Sequence, residues 1–174
     1  MSKKEEFKEL IWYIAANHPR MLKETKLWKL CFFSEADYFE KFNERLTSVS
    51  YIKNTFGPTP INKIAQKAIE ELVSENLLTI TDGNFIGAGE MELKFLDAKK
   101  IQSIENTCLR YSELNVNQIV HLAHQDPVYL MADYHHLVDF ENAQYRSNEE
   151  DVAEEPEEVS LNKLQKTGLF ALAA

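Results

Sequence analysis

The side chains best suited to chemistry lie late in the sequence, where histidines and carboxylates cluster. His121 and His124 stand three residues apart, which places both on one face of a predicted helix, and Asp126 follows. Further potential ligands come next in the chain: Asp133, His135 and His136. Imidazole and carboxylate groups bind zinc, so a zinc-dependent hydrolase is one function class that the sequence leaves open. No His-Glu-x-x-His pattern supplies a general base, and the competing interpretation is a structural His124 beside a helix-capping Asp126.

The sequence contains no other recognisable catalytic pattern. Cys31 and Cys108 have apolar neighbours and no close partner, which favours small buried side chains over a disulfide, a thiolate metal site or a nucleophile. The nearby glycines Gly83, Gly87 and Gly89 are not followed by Gly-Lys-Ser/Thr, and no Gly-x-Ser-x-Gly motif occurs. We therefore expect no cofactor and no enzymatic activity.

Composition indicates one globular domain with an acidic extension. The chain has 174 residues, 44% of them hydrophobic, and a formal net charge of -9. A strongly acidic balance disfavours binding to nucleic acid or to anionic membranes, and no apolar window is long enough for a membrane span. We expect a cytoplasmic protein. Residues 146–160 hold seven acidic residues and Pro156, so we predict a folded domain at 1–145 and a flexible acidic linker with an apolar end at 146–174.

Hydrophobic spacing predicts a mainly α, compact domain of about five or six helices with one small β-hairpin. Ser2 and Glu5 have capping-box spacing ahead of the first helix, and Thr25 to Phe42 is apolar nearly all round, as in a buried central helix. Thr59 as N-cap and Pro60 at the first helical position predict the start of a third helix. The hairpin is predicted around Asp82-Gly83, and later helices follow capping residues at Asp97, Asn115 and Asp126.

A helix followed by a hairpin is also the plan of a winged-helix DNA-binding domain. The candidate recognition helix carries Lys63, Gln66 and Lys67, but Glu70 and Glu71 follow them. Without a basic stripe, the phosphate contacts that supply most of the affinity for DNA are missing. A winged-helix-like DNA-binding regulator therefore stays an alternative, and nucleic acid is not the expected partner.

Several motifs together resemble a known family, the Panacea domain of SocA-like antitoxins, over about Lys23 to Tyr145. That family has a buried helix of leucine-x-lysine-leucine-leucine-tyrosine-phenylalanine type, an aromatic-glycine-proline turn and a late serine-histidine-x-aspartate. The matching segments here are LWKLCFFSEADY at Leu27 to Tyr38, FGPTP at Phe56 to Pro60, HLAHQD at His121 to Asp126, and Val138-Asp139-Phe140. The sequence departs from the pattern at Phe42-Asn43, where the family usually has tyrosine-glycine, and at Ala123, where it usually has serine.

The resemblance implies a noncatalytic antitoxin that neutralises a toxin protein by direct binding, although one branch of the family instead hands its toxin to a protease. It assigns Gly57, Pro58, His124 and Asp126 to the family motif. Tyr38, Tyr51 and Phe56 are candidate partner-contacting aromatics, and burial in the core is the competing interpretation for each. An acidic surface suits a basic, RNA-directed toxin.

The last residues, including Leu172, Ala173 and Ala174, resemble the ending of the bacterial ribosome-rescue tag. A Clp-type protease recognises such an ending when a flexible tether precedes it. We therefore predict a C-terminal degron, with a toxin-binding role or packing on the domain as the alternatives. Rapid turnover of the antitoxin would then release a stable toxin.

Overall fold

The computed structural model describes residues 1–19 and 21–146. Within them the chain forms six α-helices, a final 3-10 helix and two antiparallel hairpins. The elements are α1 (Lys3–Asn17), α2 (Glu24–Phe42), β1 (Tyr51–Asn54), β2 (Gly57–Pro60), α3 (Asn62–Ser74), β3 (Leu78–Thr81), β4 (Asn84–Gly87), α4 (Ala98–Tyr111), α5 (Val116–Gln125), α6 (Pro127–Leu130) and the 3-10 helix (Phe140–Tyr145). The mainly α class is confirmed, but the prediction of one hairpin is wrong because there are two. No helix in the described ranges is both long and apolar enough to cross a bilayer.

The predicted central helix is confirmed as α2, which packs on α1, α4, α5, β2 and the 3-10 helix. Its side chains Leu27, Leu30 and Phe32 are completely buried, as expected for a helix that is apolar on most sides. At its C-terminal end Asn43 takes the left-handed conformation, with φ 52° and ψ 34°. Glycine and asparagine adopt this conformation most readily. Asn43 can therefore replace the glycine that the Panacea pattern has at this position.

Short-range signals in the sequence located most helix starts correctly. A capping box joins Ser2 and Glu5 at α1, and the predicted caps of the later helices are Asp97 at α4, Asn115 at α5 and Asp126 at α6. The hairpin β3–β4 also forms as predicted, since Asp82 and Gly83 have positive φ values of 52° and 73°. Such signals succeed because the interacting groups lie within a few residues of each other.

The prediction that Thr59 and Pro60 open the third helix is wrong, because both residues belong to strand β2. Helix α3 begins at Asn62, and no side chain caps it. Pro58 and Pro60 stand opposite Lys53 and Tyr51. The backbone groups of those two β1 residues bond residues 135–138 on the other side of β1. Proline is therefore tolerated at both positions, since neither needs an N–H directed at β1.

The turn between β1 and β2 requires Gly57, whose φ is +100°. A Cβ atom built there would lie 2.7 Å from Cε of Lys29. We predict that Gly57→Val lowers the free energy of unfolding by about 1–3 kcal/mol, because a β-branched residue is strained at positive φ. Urea denaturation measures the change. Thr55→Val, in the same turn, is the control and should leave the midpoint unchanged, and an unchanged midpoint for Gly57→Val would contradict the prediction.

A loop between β4 and α4 is held by a carboxylate that the sequence analysis missed. Glu9 on α1 is 3% exposed, and it accepts hydrogen bonds of 2.8 to 3.1 Å from the backbone N–H groups of Lys94, Phe95 and Leu96. Three consecutive N–H groups directed at one carboxylate satisfy its buried charge. They fix the loop against α1.

Two ionisable side chains of α2 lie in the core with no exposed surface, Lys29 and Glu35. Nζ of Lys29 donates to the carbonyl oxygen of Pro58 at 2.9 Å, and burial lowers its pKa to about 8. Glu35 accepts a 3.1 Å bond from the backbone N–H of Thr47 and a second bond from its hydroxyl. Burial raises the pKa of Glu35 to about 7, against the opposing effect of Arg45. Both shifts favour the uncharged form.

Candidate partner-binding surface

The two motif segments that the sequence singled out, one near Phe56 and one near His124, are in contact in the structure. Nε2 of His124 lies 2.7 Å from the carbonyl oxygen of Thr55, at the tip of the β1–β2 hairpin. Nδ1 of the same ring lies 2.7 Å from the carbonyl oxygen of Val120, one turn earlier in α5. His124 therefore links the hairpin tip to α5, and both of its ring nitrogens are engaged.

Tyr129 on α6 gives the hairpin a second attachment. Its hydroxyl donates to the carbonyl oxygen of Asn54 at 2.8 Å, and its ring packs edge-on against His124 at 4.8 Å between centroids. Nζ of Lys53 lies 4.5 Å from the ring centre of Tyr129 and 4.8 Å from that of Tyr134. Burial and a hydrogen bond with Tyr134 raise the pKa of Tyr129 to about 12. The phenol therefore remains a hydrogen-bond donor at neutral pH.

Asp126, the last residue of the motif, connects α6 to Arg146 at the end of the 3-10 helix. One carboxylate oxygen accepts from the N–H of Val128 at 2.9 Å, and the other accepts from Nε and Nη2 of Arg146 at 2.9 and 2.5 Å. Arg146 also bonds Asp37 at 2.6 Å and Glu40 at 3.0 Å, both on α2. Burial opposes the charge of Arg146, but Asp126 and Asp37 raise its pKa above the ordinary value. The ion cluster joins α2, α6 and the C-terminal end of the 3-10 helix.

The residues proposed as zinc ligands do not assemble into a site. His124 is committed to two carbonyl groups, and Nε2 of His121 lies 3.0 Å from the amide nitrogen of Gln125. Within residues 1–19 and 21–146, no group of three or more His, Cys, Asp or Glu side chains is arranged to hold a metal ion. The zinc-hydrolase alternative therefore has no supporting geometry in this part of the chain.

The candidate recognition helix of the DNA-binding alternative is α3, followed by the wing-like hairpin β3–β4. Its Lys63 and Lys67 are exposed, but exposed Glu70 lies among them. At the hairpin tip, Nζ of Lys23 donates to the carbonyl oxygen of Asp82 at 2.6 Å. The mixed charge gives no observation in favour of DNA binding.

The three aromatics proposed to touch a partner have different positions. Tyr38 is 1% exposed and Tyr51 is fully buried, where it packs against Phe7, Phe32 and Phe140. Assigning partner contacts to the two tyrosines was therefore incorrect, because their rings fill the core. Phe56 is 73% exposed at the hairpin tip, and its contact with a partner stays a prediction.

Phe56 is accompanied by exposed apolar side chains from the last residue of α6 and the segment that follows it. Each of them is more than half exposed: Leu130, Met131, Tyr134 and Leu137. We call these four residues and Phe56 the hairpin surface. Leu137 stands opposite Ile52 of β1, so the segment lies along the hairpin that carries Phe56. Exposed apolar groups concentrated in one region are typical of protein-binding sites.

The sequence analysis missed the hairpin surface beyond Phe56. Residues 130–137 have neither helical nor strand periodicity, and a stretch of this kind gives no signal of exposure. Asp133, Asp139 and Glu141 are also exposed around it, so carboxylates border its apolar centre. Leu172, Ala173 and Ala174 lie outside the described residues, and the degron stays a prediction.

Comparison with known proteins identifies the family. The family model for SocA-like antitoxins, Panacea domain, matches residues 27–129. Searches of curated proteins and of solved structures gave no match. The family match covers more than half of the chain, including most of α2, the β1–β2 hairpin and His124. The chain therefore belongs to the SocA-like antitoxin family and contains its Panacea domain.

Proposed function

We propose that this protein is an antitoxin that neutralises a toxin by direct binding through the hairpin surface. The observation that carries the proposal is the exposure of five large apolar side chains on two segments in mutual contact, one ending in Phe56. The motif residues Gly57, His124 and Asp126 position these segments without being the contacts themselves. A rigid support beneath exposed apolar side chains reduces the entropy cost of binding.

The charge around the hairpin surface favours a basic toxin. Three exposed carboxylates border the surface, at Asp133, Asp139 and Glu141. Lys53, which lies beneath it, is only 8% exposed. Opposite charge on the toxin would accelerate association and help to select the correct partner.

We also propose that the protein is not an enzyme. A cleft of about 900 Å³ is lined partly by Asp37, Thr107, Arg110 and Arg146. Its carboxylates accept hydrogen bonds from neighbouring side chains: Asp37, for example, accepts a 2.7 Å bond from Thr107 in addition to the bond from Arg146. Carboxylates that are satisfied in this way are poor candidates for a general acid or base.

Coexpression tests the proposal directly. The chain is expressed with the product of the open reading frame beside its gene, and growth and copurification are measured. We expect the neighbouring protein to stop growth when it is expressed alone, and the chain to restore growth and to copurify with it. A neighbouring protein that is toxic but neither binds the chain nor is neutralised by it would contradict the proposal.

The contact surface is tested by Phe56→Ser. We expect it to weaken binding of an inactivated toxin by at least about tenfold, because exposed aromatic side chains commonly carry much of the binding energy of an interface. The matched control is Leu109→Ser on α4, a residue that is 79% exposed away from the hairpin surface, and its effect should stay below about threefold. Equal affinities of the two variants in titration calorimetry would place the contact elsewhere.

A further inference from the structure

Residues 135–138 pair with β1 as a short third strand, through an antiparallel bridge between Leu137 and Ile52. The N–H of Lys53 donates to the carbonyl of His136 at 3.0 Å, and the N–H of Val138 donates to the carbonyl of Tyr51 at 2.9 Å. A third bond runs from the N–H of His135 to the carbonyl of Lys53 at 2.9 Å. Strand β1 is therefore bonded on both sides, to β2 and to this segment.

The outer side of the segment has backbone groups that remain unbonded in the described structure. In an extended chain, alternate residues direct their backbone groups to opposite sides. His136 and Val138 face β1, so Leu137 and Asp139 face outward. Among the hydrogen bonds of the described residues, none involves the N–H or C=O of Leu137 or the N–H of Asp139. Leu137 is also 57% exposed, so no part of residues 1–19 or 21–146 pairs with this edge.

We infer that the toxin adds an extended segment to the outer edge of residues 135–139 and so enlarges the sheet that β1 and β2 begin. This inference rests on the proposed function, and it specifies how the hairpin surface holds its partner. Main-chain hydrogen bonds to Leu137 and Asp139 would fix the position of the added strand, and its side chains would pack against exposed apolar groups such as Tyr134.

The exposed charges define the chemistry of the added segment. Asp133, Asp139 and Glu141 lie on or beside the edge, so an apolar strand with lysine or arginine at its ends would be complementary. A second copy of this chain would instead bring the same carboxylates together, and like charges facing each other destabilise a pairing. The edge is also short, since His135 has a positive φ of 64° and a 3-10 helix begins at Phe140. Short edges resist indiscriminate pairing.

Hydrogen exchange of individual amides tests strand addition. The full chain, labelled with ¹⁵N, is measured alone and with an inactivated variant of the toxin that it neutralises in the coexpression assay. We expect exchange of the Leu137 and Asp139 amides to slow by at least about tenfold when the toxin binds. The Val138 amide is already bonded to Tyr51, and its exchange should change by less than about threefold.

The outcomes separate this inference from the proposed function. If the toxin binds but exchange at Leu137 is unchanged, strand addition is wrong and direct neutralisation stands. If no toxin binds, both fail. Protection of Leu137 that rises with the concentration of the chain alone would assign the edge to a second copy and overturn the inference.

A pair of variants at one position supplies independent evidence. Leu137→Ala shortens the side chain and keeps the outward N–H, whereas Leu137→Pro also removes the N–H. We expect the proline variant to bind the toxin at least about tenfold more weakly than the alanine variant, because it loses a main-chain hydrogen bond and obstructs the edge. Circular dichroism checks the fold of both variants. Equal affinities of two folded variants would overturn strand addition.

Discussion

Replacing Arg146 with methionine should lower the free energy of unfolding by about 3–5 kcal/mol, which is the usual cost of removing one partner from a buried ion pair. The Arg146 side chain is 11% exposed, and those of Asp37 and Asp126 are 10% and 6% exposed. Methionine preserves much of the volume of the side chain but leaves two buried carboxylates without their strongest partner. Urea denaturation near neutral pH measures the loss.

Two further variants show whether the lost stability comes from the buried ion cluster or merely from the removal of a positive charge. Arg110→Met removes a cation whose side chain is 52% exposed and lies 3.6 Å from Asp37. Its cost should stay below about 1 kcal/mol, because water screens exposed pairs. Adding Asp126→Asn to Arg146→Met should recover at least about 1 kcal/mol, since asparagine keeps the helix cap without the unpaired charge. A loss below about 1 kcal/mol for Arg146→Met would show that water satisfies these carboxylates.

The sequence predicted those parts of the fold whose causes are local. Ser2 reaches Glu5, and Asn115 reaches Gln118, within a single turn of helix. The central helix was predictable because nearly every side chain between Leu27 and Phe33 is apolar and only burial accommodates such a surface. These features need no knowledge of distant residues.

The β1–β2 hairpin depends on distant residues, and for that reason the sequence analysis missed it. The pair Thr59-Pro60 has the composition of a helix start, and local reasoning had no competing signal. The deciding interactions come from residues 135–138, which bond β1 from the far side, and from Lys29, which bonds the carbonyl of Pro58. The role of Glu9 was also missed because it depends on distant residues: its three N–H partners lie about 85 residues away in the chain.

The candidate site, like the fold, was predicted from the sequence only in part. The motif residues Gly57, His124 and Asp126 were identified from the sequence. In the structure their contacts hold the β1–β2 hairpin and α6, the elements next to the hairpin surface. Hydrophobicity alone does not distinguish an exposed aromatic from a buried one. Tyr51 and Phe56 are five residues apart, yet one fills the core and the other is exposed at a hairpin tip.

The stability of this domain should fall between about pH 4.5 and 7, because Glu35 has a pKa raised by burial from 4.5 to about 7. Below this range the carboxyl is protonated in both states and contributes no difference. Within the range the native state holds more protons than the unfolded state, so rising pH favours unfolding. For a pKa shift of this size, the free energy of unfolding falls by about 3 kcal/mol at most across the range.

Lys29 should produce the opposite slope in alkaline solution. Burial lowers its pKa from 10.5 to about 8, so between these values the unfolded state holds more protons and rising pH favours the native state. The combined contribution of these two residues to stability has its minimum between about pH 7 and 8, where both buried side chains are most costly. The thiols of Cys31 and Cys108 add a slope of the opposite sign in more alkaline solution, because burial raises the pKa of both.

Unfolding free energies of wild type and two variants at about pH 5, 7.5 and 10 test this minimum. Glu35→Gln keeps an oxygen that accepts from Thr47, and it should gain stability over wild type between the first two values. Lys29→Met should lose stability relative to wild type between the last two values, because it lacks the contribution that Lys29 regains on deprotonation. Comparing each variant with wild type at the same pH cancels the groups that titrate in all three proteins, such as the Lys8–Glu75 pair and the thiols of Cys31 and Cys108. If the difference between Glu35→Gln and wild type is the same at about pH 5 and 7.5, Glu35 titrates as an ordinary carboxyl and the minimum has no basis at that residue.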